Sequence, residues 1–170
     1  MLKKISTIGY GSRYWVSLIM TGFLLQGVAL YYQYFLNYAP CVVCVHIRMI
    51  IMAVMILAGA ALALRPFKPL FILTQLLMVT LFIGLLERSW MALAVERYWV
   101  EGSCSLSSGL PSWFSLDLWF PFLFEIHTAC GYTPNLVFGI TMAEALFPLS
   151  AIAITVSVGI TIASLYKKQV

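Results

Sequence analysis

Residues 45–64 read VHIRMIIMAVMILAGAALAL, and this stretch decides the structural class of the chain. Its only charged residue is Arg48, near the start, and it is long enough to cross a bilayer, whose hydrocarbon core requires about 20 helical residues. Similar apolar runs cover residues 14–36, 70–86 and 145–166. Since only helices or closed barrels satisfy their backbone hydrogen bonds in lipid, the sequence predicts an all-α integral membrane protein: a four-helix bundle in a single domain, residues 1–170.

The composition supports a membrane location. Hydrophobic residues make up 62% of the 170 residues and charged residues 9%, whereas soluble domains hold about 25% charged residues. The apolar run after Lys3, Lys4 and Arg13 exceeds the roughly 7–15 residues of the apolar region of a signal peptide, and no small-residue cleavage motif follows before Pro40, so we expect the first span to be retained. The net charge of +4 is explained by membrane topology and requires no nucleic-acid partner.

The distribution of basic residues predicts the orientation of the chain. The two tails and the link at 65–69 fall on one side of the membrane, and the link at 37–44 and a long loop from about 87 to 144 fall on the other. The first side carries most of the basic residues: Lys3, Lys4, Arg13, Arg65, Lys68, Lys167 and Lys168. By the positive-inside rule, both tails are cytoplasmic. The four cysteines and six acidic residues then lie on the outer side or at its interface.

The long outer loop contains an aromatic segment, Leu110–Glu125. Trp113, Leu116 and Phe120 recur at helical spacing, and aromatic rings favour the headgroup level of a membrane, so we expect a short interfacial helix. Plain hydrophobic packing over the top of the bundle is the alternative that the sequence leaves open.

Residues 41–44 read CVVC, a C-x-x-C pair at the entry to the second span, directly after Pro40. A thiolate at a helix N-terminus lies at the positive end of the helix dipole, which stabilises it and makes it reactive. Arg48 follows Cys44 by four residues and so falls on the same helix face. Its charge would stabilise a thiolate there, or the negative charge that develops on a reduced quinone. The alternative is an arginine whose head group snorkels to the interface.

Cys104 and Cys130 lie in the long outer loop, far enough apart in sequence to pair with each other. As a purely structural disulfide they would contribute about 3–4 kcal/mol of stabilisation. Four cysteines allow three pairings, and the two-pair interpretation rests on proximity in sequence. Covalent haem is excluded because the residues after Cys44 break the C-x-x-C-H pattern. Zinc is disfavoured because the second pair is not a C-x-x-C and the outer compartment is oxidising, so no metal site is predicted.

The order of these features resembles the bacterial disulfide bond formation protein B family, DsbB, over almost the whole chain. The resemblance rests on four spans with cytoplasmic ends, on Pro40 and the C-x-x-C pair followed by Arg48, and on Cys104 and Cys130 in the outer loop. Residues 116–121, LDLWFP, are also similar to the membrane-surface segment of that family. The resemblance implies a multi-pass protein of the bacterial inner membrane, with both termini cytoplasmic and the cysteines periplasmic.

The same resemblance implies a quinone-dependent thiol oxidase. A reduced DsbA-like partner of the thioredoxin fold would attack a Cys104–Cys130 disulfide and form a mixed disulfide at Cys104. Cys130 would then exchange with Cys41 and free Cys44. The Cys44 thiolate would interact with exchangeable ubiquinone or menaquinone beside Arg48, and the electrons would pass to the membrane quinone pool. The resemblance therefore implies four catalytic cysteines, with Arg48 and Cys44 binding the quinone.

Other functions use the same sequence features. A non-enzymatic scaffold or transporter with a stapled loop is disfavoured because charged residues are absent deep in the spans and no internal repeat is evident. Gln26, Gln33 and Gln75 are accordingly interpreted as interhelical hydrogen-bond donors and not as an ion path. A reductase would use the same cysteines in the reverse direction, and only the family resemblance gives the direction. Met142 and Glu144, near the entry to the fourth span, are further candidates for the quinone pocket.

Overall fold

The computed structural model describes residues 11–38, 40–100, 120–124 and 139–166. Within them the chain forms five helices, which we label α1 (Ser12–Tyr34), α2 (Val42–Ala63), α3 (Lys68–Glu96), α4 (Pro121–Phe124) and α5 (Met142–Tyr166). All except α4 are long and apolar enough to cross a membrane, with mean hydropathies between 1.4 and 2.3. The predicted all-α class with four membrane-spanning helices is therefore confirmed.

The ends of the helices follow local chemistry. After α1 ends at Tyr34, Asn37 adopts a φ of 55°, a left-handed conformation that asparagine tolerates better than most residues, and the chain turns toward α2. The first turn of α3 contains a proline, where the missing N–H is not needed. Helix α3 continues past the predicted end of its span at Leu86, as far as Glu96. It does so because residues 87–96 contain no glycine or proline and bury one face against the bundle.

The long helices pack in the order α1, α2, α3, α5, each against the next. Helices α1 and α2 approach closely at Gly22, where a Cβ atom would come within 2.5 Å of Cγ of Met55. Farther along the core, the rings of Trp15 and Phe71 are fully buried and meet edge to face, with centroids 5.8 Å apart. The core therefore combines one close backbone approach with large interlocking side chains.

Buried polar side chains bridge neighbouring helices. The Nε2 atom of Gln75 donates to Oγ of Ser164 over 3.2 Å, and the Oγ atoms of Ser89 and Ser150 lie 3.2 Å apart, so both pairs join α3 to α5. Two glutamines of α1 bridge to α2 in the same way. The prediction that the three glutamines of the spans donate interhelical hydrogen bonds is confirmed for Gln26 and Gln75, whereas Gln33 accepts its hydrogen bond from Arg48.

The outward faces of the helices are apolar. Several large side chains are between 61% and 71% exposed: Met20, Phe23, Leu24, Ile56 and Ile152. Monomeric soluble proteins rarely leave apolar surface of this extent in contact with water, whereas lipid requires it. The exterior thus agrees with the membrane location that the composition predicts.

The short helix α4 packs against the end of the bundle where α2 begins. Phe124 is 2% exposed, and the hydroxyl of Tyr34 donates to the carbonyl oxygen of Phe122 over 2.7 Å. The Phe122 side chain itself is 55% exposed. Helix α4 forms the end of the predicted interfacial segment, while Trp113 and Leu116, on which that prediction rested, lie outside the described residues. Phe120 lies just before α4, so the helix predicted through Trp113, Leu116 and Phe120 stays a prediction, while the burial of Phe124 agrees with hydrophobic packing over the bundle.

Candidate redox site

The C-x-x-C pair closes on itself at the start of α2. Cys41 is the N-cap residue, with extended backbone, and its Sγ atom accepts a hydrogen bond from the backbone N–H of Cys44 over 3.4 Å. The two sulfur atoms lie 3.0 Å apart. Cys41 is buried and Cys44 is half-buried. Because the backbone N–H and the helix dipole both favour negative charge on sulfur, this geometry suits a reactive thiol pair.

Arg48 lies one helical turn after Cys44 and is only 6% exposed. Its guanidinium donates three hydrogen bonds: from Nη1 to Oε1 of Gln33 and, over 3.1 Å, to the carbonyl oxygen of Leu123, and from Nη2 over 3.1 Å to the carbonyl oxygen of Ala29. These acceptors belong to α1 and α4. A head group that snorkelled to the interface would be exposed, so the burial of Arg48 and its three fixed acceptors disagree with that alternative.

The guanidinium of Arg48 donates its hydrogen bonds to uncharged acceptors. In the part of the chain that the structure describes, no carboxylate forms an ion pair with it. A guanidinium has five N–H donors, and the three hydrogen bonds above leave two of them for another acceptor. Buried charge without a counter-ion is costly, and ionisable groups inside membranes are typically functional. The arrangement is suited to stabilising negative charge on a neighbouring group.

Cys44 and Arg48 line the same cavity, whose wall is formed mainly by residues of α1, α2 and α5. Its volume is about 170 Å³, it is open on one side, and most of the residues that line it are apolar. Gln26 from α1 and Met142 from α5 are also part of its wall. Gln26 is 8% exposed, and its Oε1 atom has no hydrogen-bond partner among the described residues. The residues of the cavity wall are therefore mainly apolar, and the polar ones include a thiol, a guanidinium with two N–H groups that no described residue uses, and an amide with one unused acceptor.

A polar network joins the two ends of the long loop. Thr141 and Glu144 form a capping box at the start of α5: the Glu144 N–H donates to the Thr141 hydroxyl over 3.2 Å, and the Thr141 N–H donates to the Glu144 carboxylate over 3.1 Å. The Thr141 hydroxyl also donates to Glu96 over 3.1 Å, and Arg97 forms an ion pair with Glu144. Of the two further candidates for the pocket, Met142 lines the cavity, whereas Glu144 caps α5 and is not part of the cavity wall.

The structure brings together three of the five predicted site residues, Cys41, Cys44 and Arg48. Cys104 and Cys130 lie outside the described residues. The assignment of all five as site residues stays a prediction.

Sequence reasoning missed the acceptors that orient Arg48. Gln33 carried a signal, because a polar side chain in an apolar span calls for a partner. The carbonyl groups of Ala29 and Leu123 carried none, since backbone acceptors are present at every position. Gln26 was interpreted only as a helix-bridging residue, and its position in the cavity wall depends on tertiary packing.

A family model described as disulfide bond formation protein DsbB matches residues 11–160. The chain belongs to the DsbB family. Disulfide bond formation protein B 2 of Pseudomonas aeruginosa is 29% identical over 133 residues, which make up 76% of this chain and 78% of the relative. Disulfide bond formation protein B of Photorhabdus laumondii is 24% identical over 170 residues, 99% of this chain and 100% of the relative. The protein of that name from Yersinia pestis is 25% identical over an alignment of 181 positions, which covers 99% of this chain and 96% of the relative.

Membership of the DsbB family confirms the resemblance drawn from the sequence. The chain is a multi-pass membrane protein of disulfide bond formation, and its activity is that of a disulfide-generating oxidoreductase. This membership favours redox chemistry over the scaffold or transporter with a stapled loop.

The residues of the cavity fit a quinone. Apolar walls suit the ring and its hydrocarbon tail, and the remaining N–H donors of Arg48 suit a ring carbonyl, which only accepts hydrogen bonds. Cys44 lines the same cavity, so a thiol would be available to a bound quinone. Across the described ranges, no group of three or more His, Cys, Asp or Glu side chains is placed to hold a metal ion.

Proposed function

We propose that the chain oxidises a periplasmic DsbA-like protein of the thioredoxin fold and transfers the electrons to a membrane quinone, ubiquinone or menaquinone. The observation that carries the proposal is the shared cavity. Cys44 and Arg48 line one apolar cleft, and the sulfur of Cys41 lies 3.0 Å from that of Cys44. Electron transfer from thiols to quinone requires this combination of a thiol pair and an apolar site for the acceptor.

The protein's own groups have separate tasks. A bound quinone supplies an acceptor for two electrons and two protons. Cys41 is within reach to form a disulfide with Cys44, and the dithiol then gives up two electrons and two protons in total. The N–H donors of Arg48 would stabilise negative charge that develops at a ring oxygen of a bound quinone. Because Arg48 is buried, that interaction is screened less than it would be in water.

The proposed relay reaches the partner through the loop cysteines. Cys104 forms the mixed disulfide with the partner, and Cys130 then exchanges with Cys41. The anchoring of α4 supports this step, because Phe124 is buried against the bundle and Leu123 accepts a hydrogen bond from Arg48. Cys130 follows Phe124 by six residues, so it is close in sequence to the point at which α4 is anchored to the bundle.

The test is reduction of decylubiquinone by the purified chain in detergent, followed by absorbance, with two electron donors. One donor is a reduced DsbA-like protein and the other is dithiothreitol, with protein-free samples as the blank. We expect Cys44→Ser to lose quinone reduction with both donors. Cys104→Ser is expected to lose it with the protein donor alone, because dithiothreitol reduces the membrane-side pair directly.

The two variants serve as controls for each other, since each removes one thiol. Normal turnover by Cys44→Ser would contradict the role of the cavity pair. Equal loss with both donors in Cys104→Ser would contradict the division between a partner-facing and a quinone-facing pair. An absence of quinone reduction by the unsubstituted chain with either donor would overturn the proposal as a whole.

A further inference from the structure

Gln26 is the one cavity-lining side chain with a buried acceptor atom that lacks a partner among the described residues. It lies in α1, whereas Cys44 and Arg48 lie in α2, and all three residues line the cavity. Its Nε2 atom donates to the backbone carbonyl oxygen of Arg48 over 3.3 Å. Its Oε1 atom makes no hydrogen bond. An unsatisfied buried acceptor is unfavourable, so it marks a place where a ligand hydroxyl or N–H would be bound.

The hydrogen bond to Arg48 also distinguishes the oxygen from the nitrogen of the Gln26 side-chain amide. Amide oxygen and nitrogen atoms are assigned from their hydrogen-bond partners. The partner here is a backbone carbonyl oxygen, which only accepts, so the group that points at it is the NH₂ of Gln26. The remaining end is therefore an oxygen that can accept a hydrogen bond and cannot donate one.

Arg48 and Gln26 thus differ in the hydrogen bonds that they offer a ligand: Arg48 donates, and the free end of Gln26 accepts. The N–H donors of Arg48 match a ring oxygen of either form, because a quinone carbonyl and a quinol hydroxyl both accept hydrogen bonds. The oxygen of Gln26 matches a ring hydroxyl, which a quinol has and a quinone lacks. A quinone carbonyl placed against Gln26 would face another acceptor.

We propose that Gln26 determines the preference of the cavity for the reduced cofactor, by accepting a hydrogen bond from a quinol hydroxyl. This inference rests on the proposed function and adds to it a residue that acts on specificity. By binding the quinol more tightly than the quinone, Gln26 raises the midpoint potential of the bound pair and so favours oxidation of the thiols. Each tenfold preference for the quinol corresponds to about 30 mV for this two-electron couple.

The test compares binding of decylubiquinone and decylubiquinol to the full chain, by equilibrium dialysis under anaerobic conditions. In Gln26→Met, which keeps the length of the side chain and removes the acceptor, we expect quinol binding to weaken about tenfold, or about 1.4 kcal/mol, with quinone binding unchanged. The midpoint potential of the bound pair should then fall by about 30 mV. Gln26→Glu retains an acceptor at the same position and should keep the preference for the quinol.

Gln75→Met is the matched control. Gln75 is also a buried glutamine with an unpartnered Oε1 and a bonded Nε2, but it is not part of the cavity wall. We expect this variant to bind both forms as the unsubstituted chain does.

Two results would overturn the inference while leaving the proposed function intact: an unchanged ratio of the two dissociation constants in Gln26→Met, or an equal loss of affinity for both forms. Failure of the unsubstituted chain to bind either form would overturn the quinone cavity itself and the inference with it.

Discussion

Arg48 connects the parts of the candidate site that come from different segments of the chain. Its guanidinium binds α1 through Gln33 and Ala29, and it binds α4 through Leu123. The planar fork of five donors allows these bonds to form while donors remain for a ligand. A lysine ammonium has three donors around one nitrogen atom and cannot reach acceptors spread in this way. The site therefore depends on arginine at this position, and not on positive charge alone.

We expect Arg48→Lys to raise the apparent KM for decylubiquinone at least tenfold. A hydrogen bond to a charged group contributes about 1.5–3 kcal/mol, and a loss of about 1.4 kcal/mol corresponds to a factor of ten. Initial rates over a range of quinone concentrations, with dithiothreitol as the donor, measure this change. Arg88→Lys is the control, because Arg88 is partly exposed and lies 3.9 Å from the neighbouring Glu87. An unchanged KM in Arg48→Lys would show that its guanidinium does not contact the quinone.

The sequence predicted the reactive groups of the site better than their surroundings. Cys41, Cys44 and Arg48 were found because a C-x-x-C pair and a charge in an apolar run are rare patterns with a direct chemical meaning. The partners of Arg48 depend on how α1 and α4 pack, which no local pattern encodes. The same holds for Gln26, since only the bond to the Arg48 carbonyl shows which of its amide atoms lacks a partner.

Between elements, the close approach of α1 and α2 depends on Gly22. A Cβ atom there would lie 2.5 Å from Cγ and 2.7 Å from Sδ of Met55, distances that real Cβ atoms do not show. Met55 would have to change rotamer, or the helices would have to separate. Gly27, in the same helix, has nothing within 4 Å of the corresponding position.

This contrast gives a prediction with an internal control. We expect Gly22→Ala to lower the free energy of unfolding by about 1–2 kcal/mol, because it forces extra volume into a packed interface. Gly27→Ala should be neutral or slightly stabilising, since alanine favours helix. Denaturant-induced unfolding in detergent micelles, followed by circular dichroism, compares the two. Met55→Ala added to Gly22→Ala should recover part of the loss, and equal stabilities of the two single variants would contradict the close packing.

The four long helices were predictable from the sequence, since a long apolar run satisfies its backbone hydrogen bonds in lipid by forming a helix. The end of α3 was not, because the span prediction follows hydropathy and stops where charge begins at Glu87. The helix continues to Glu96, where Arg97 and Glu96 join the network that caps α5. Helix propensity and contacts with α5 set this boundary, and the contacts are invisible to a hydropathy pattern.

At the scale of the whole molecule, most basic residues lie at one end of the bundle axis and the C-x-x-C pair lies at the other. Helix α2 has 22 residues, a length of about 33 Å, so the C-x-x-C pair and the link at 65–69 lie at opposite ends of a span that matches the hydrocarbon core. Seven of the ten basic residues lie in the tails and at that link, and the cysteines lie on the other side of the predicted topology. We therefore propose that the C-x-x-C end faces the periplasm and both termini face the cytoplasm.

This orientation is tested with single reporter cysteines in a background in which the four native cysteines are serine. Trp99 is 63% exposed, just beyond the end of α3 on the C-x-x-C side, and Lys68 is exposed at the start of that helix. In intact spheroplasts we expect a membrane-impermeant thiol reagent to label Trp99→Cys, and to label Lys68→Cys only after the membrane is permeabilised. Because the two reporters lie at opposite ends of one helix, labelling in the reverse pattern would place the thiol pair on the cytoplasmic side. There the reducing environment would oppose disulfide formation, so such a result would contradict both the topology and the direction of electron flow.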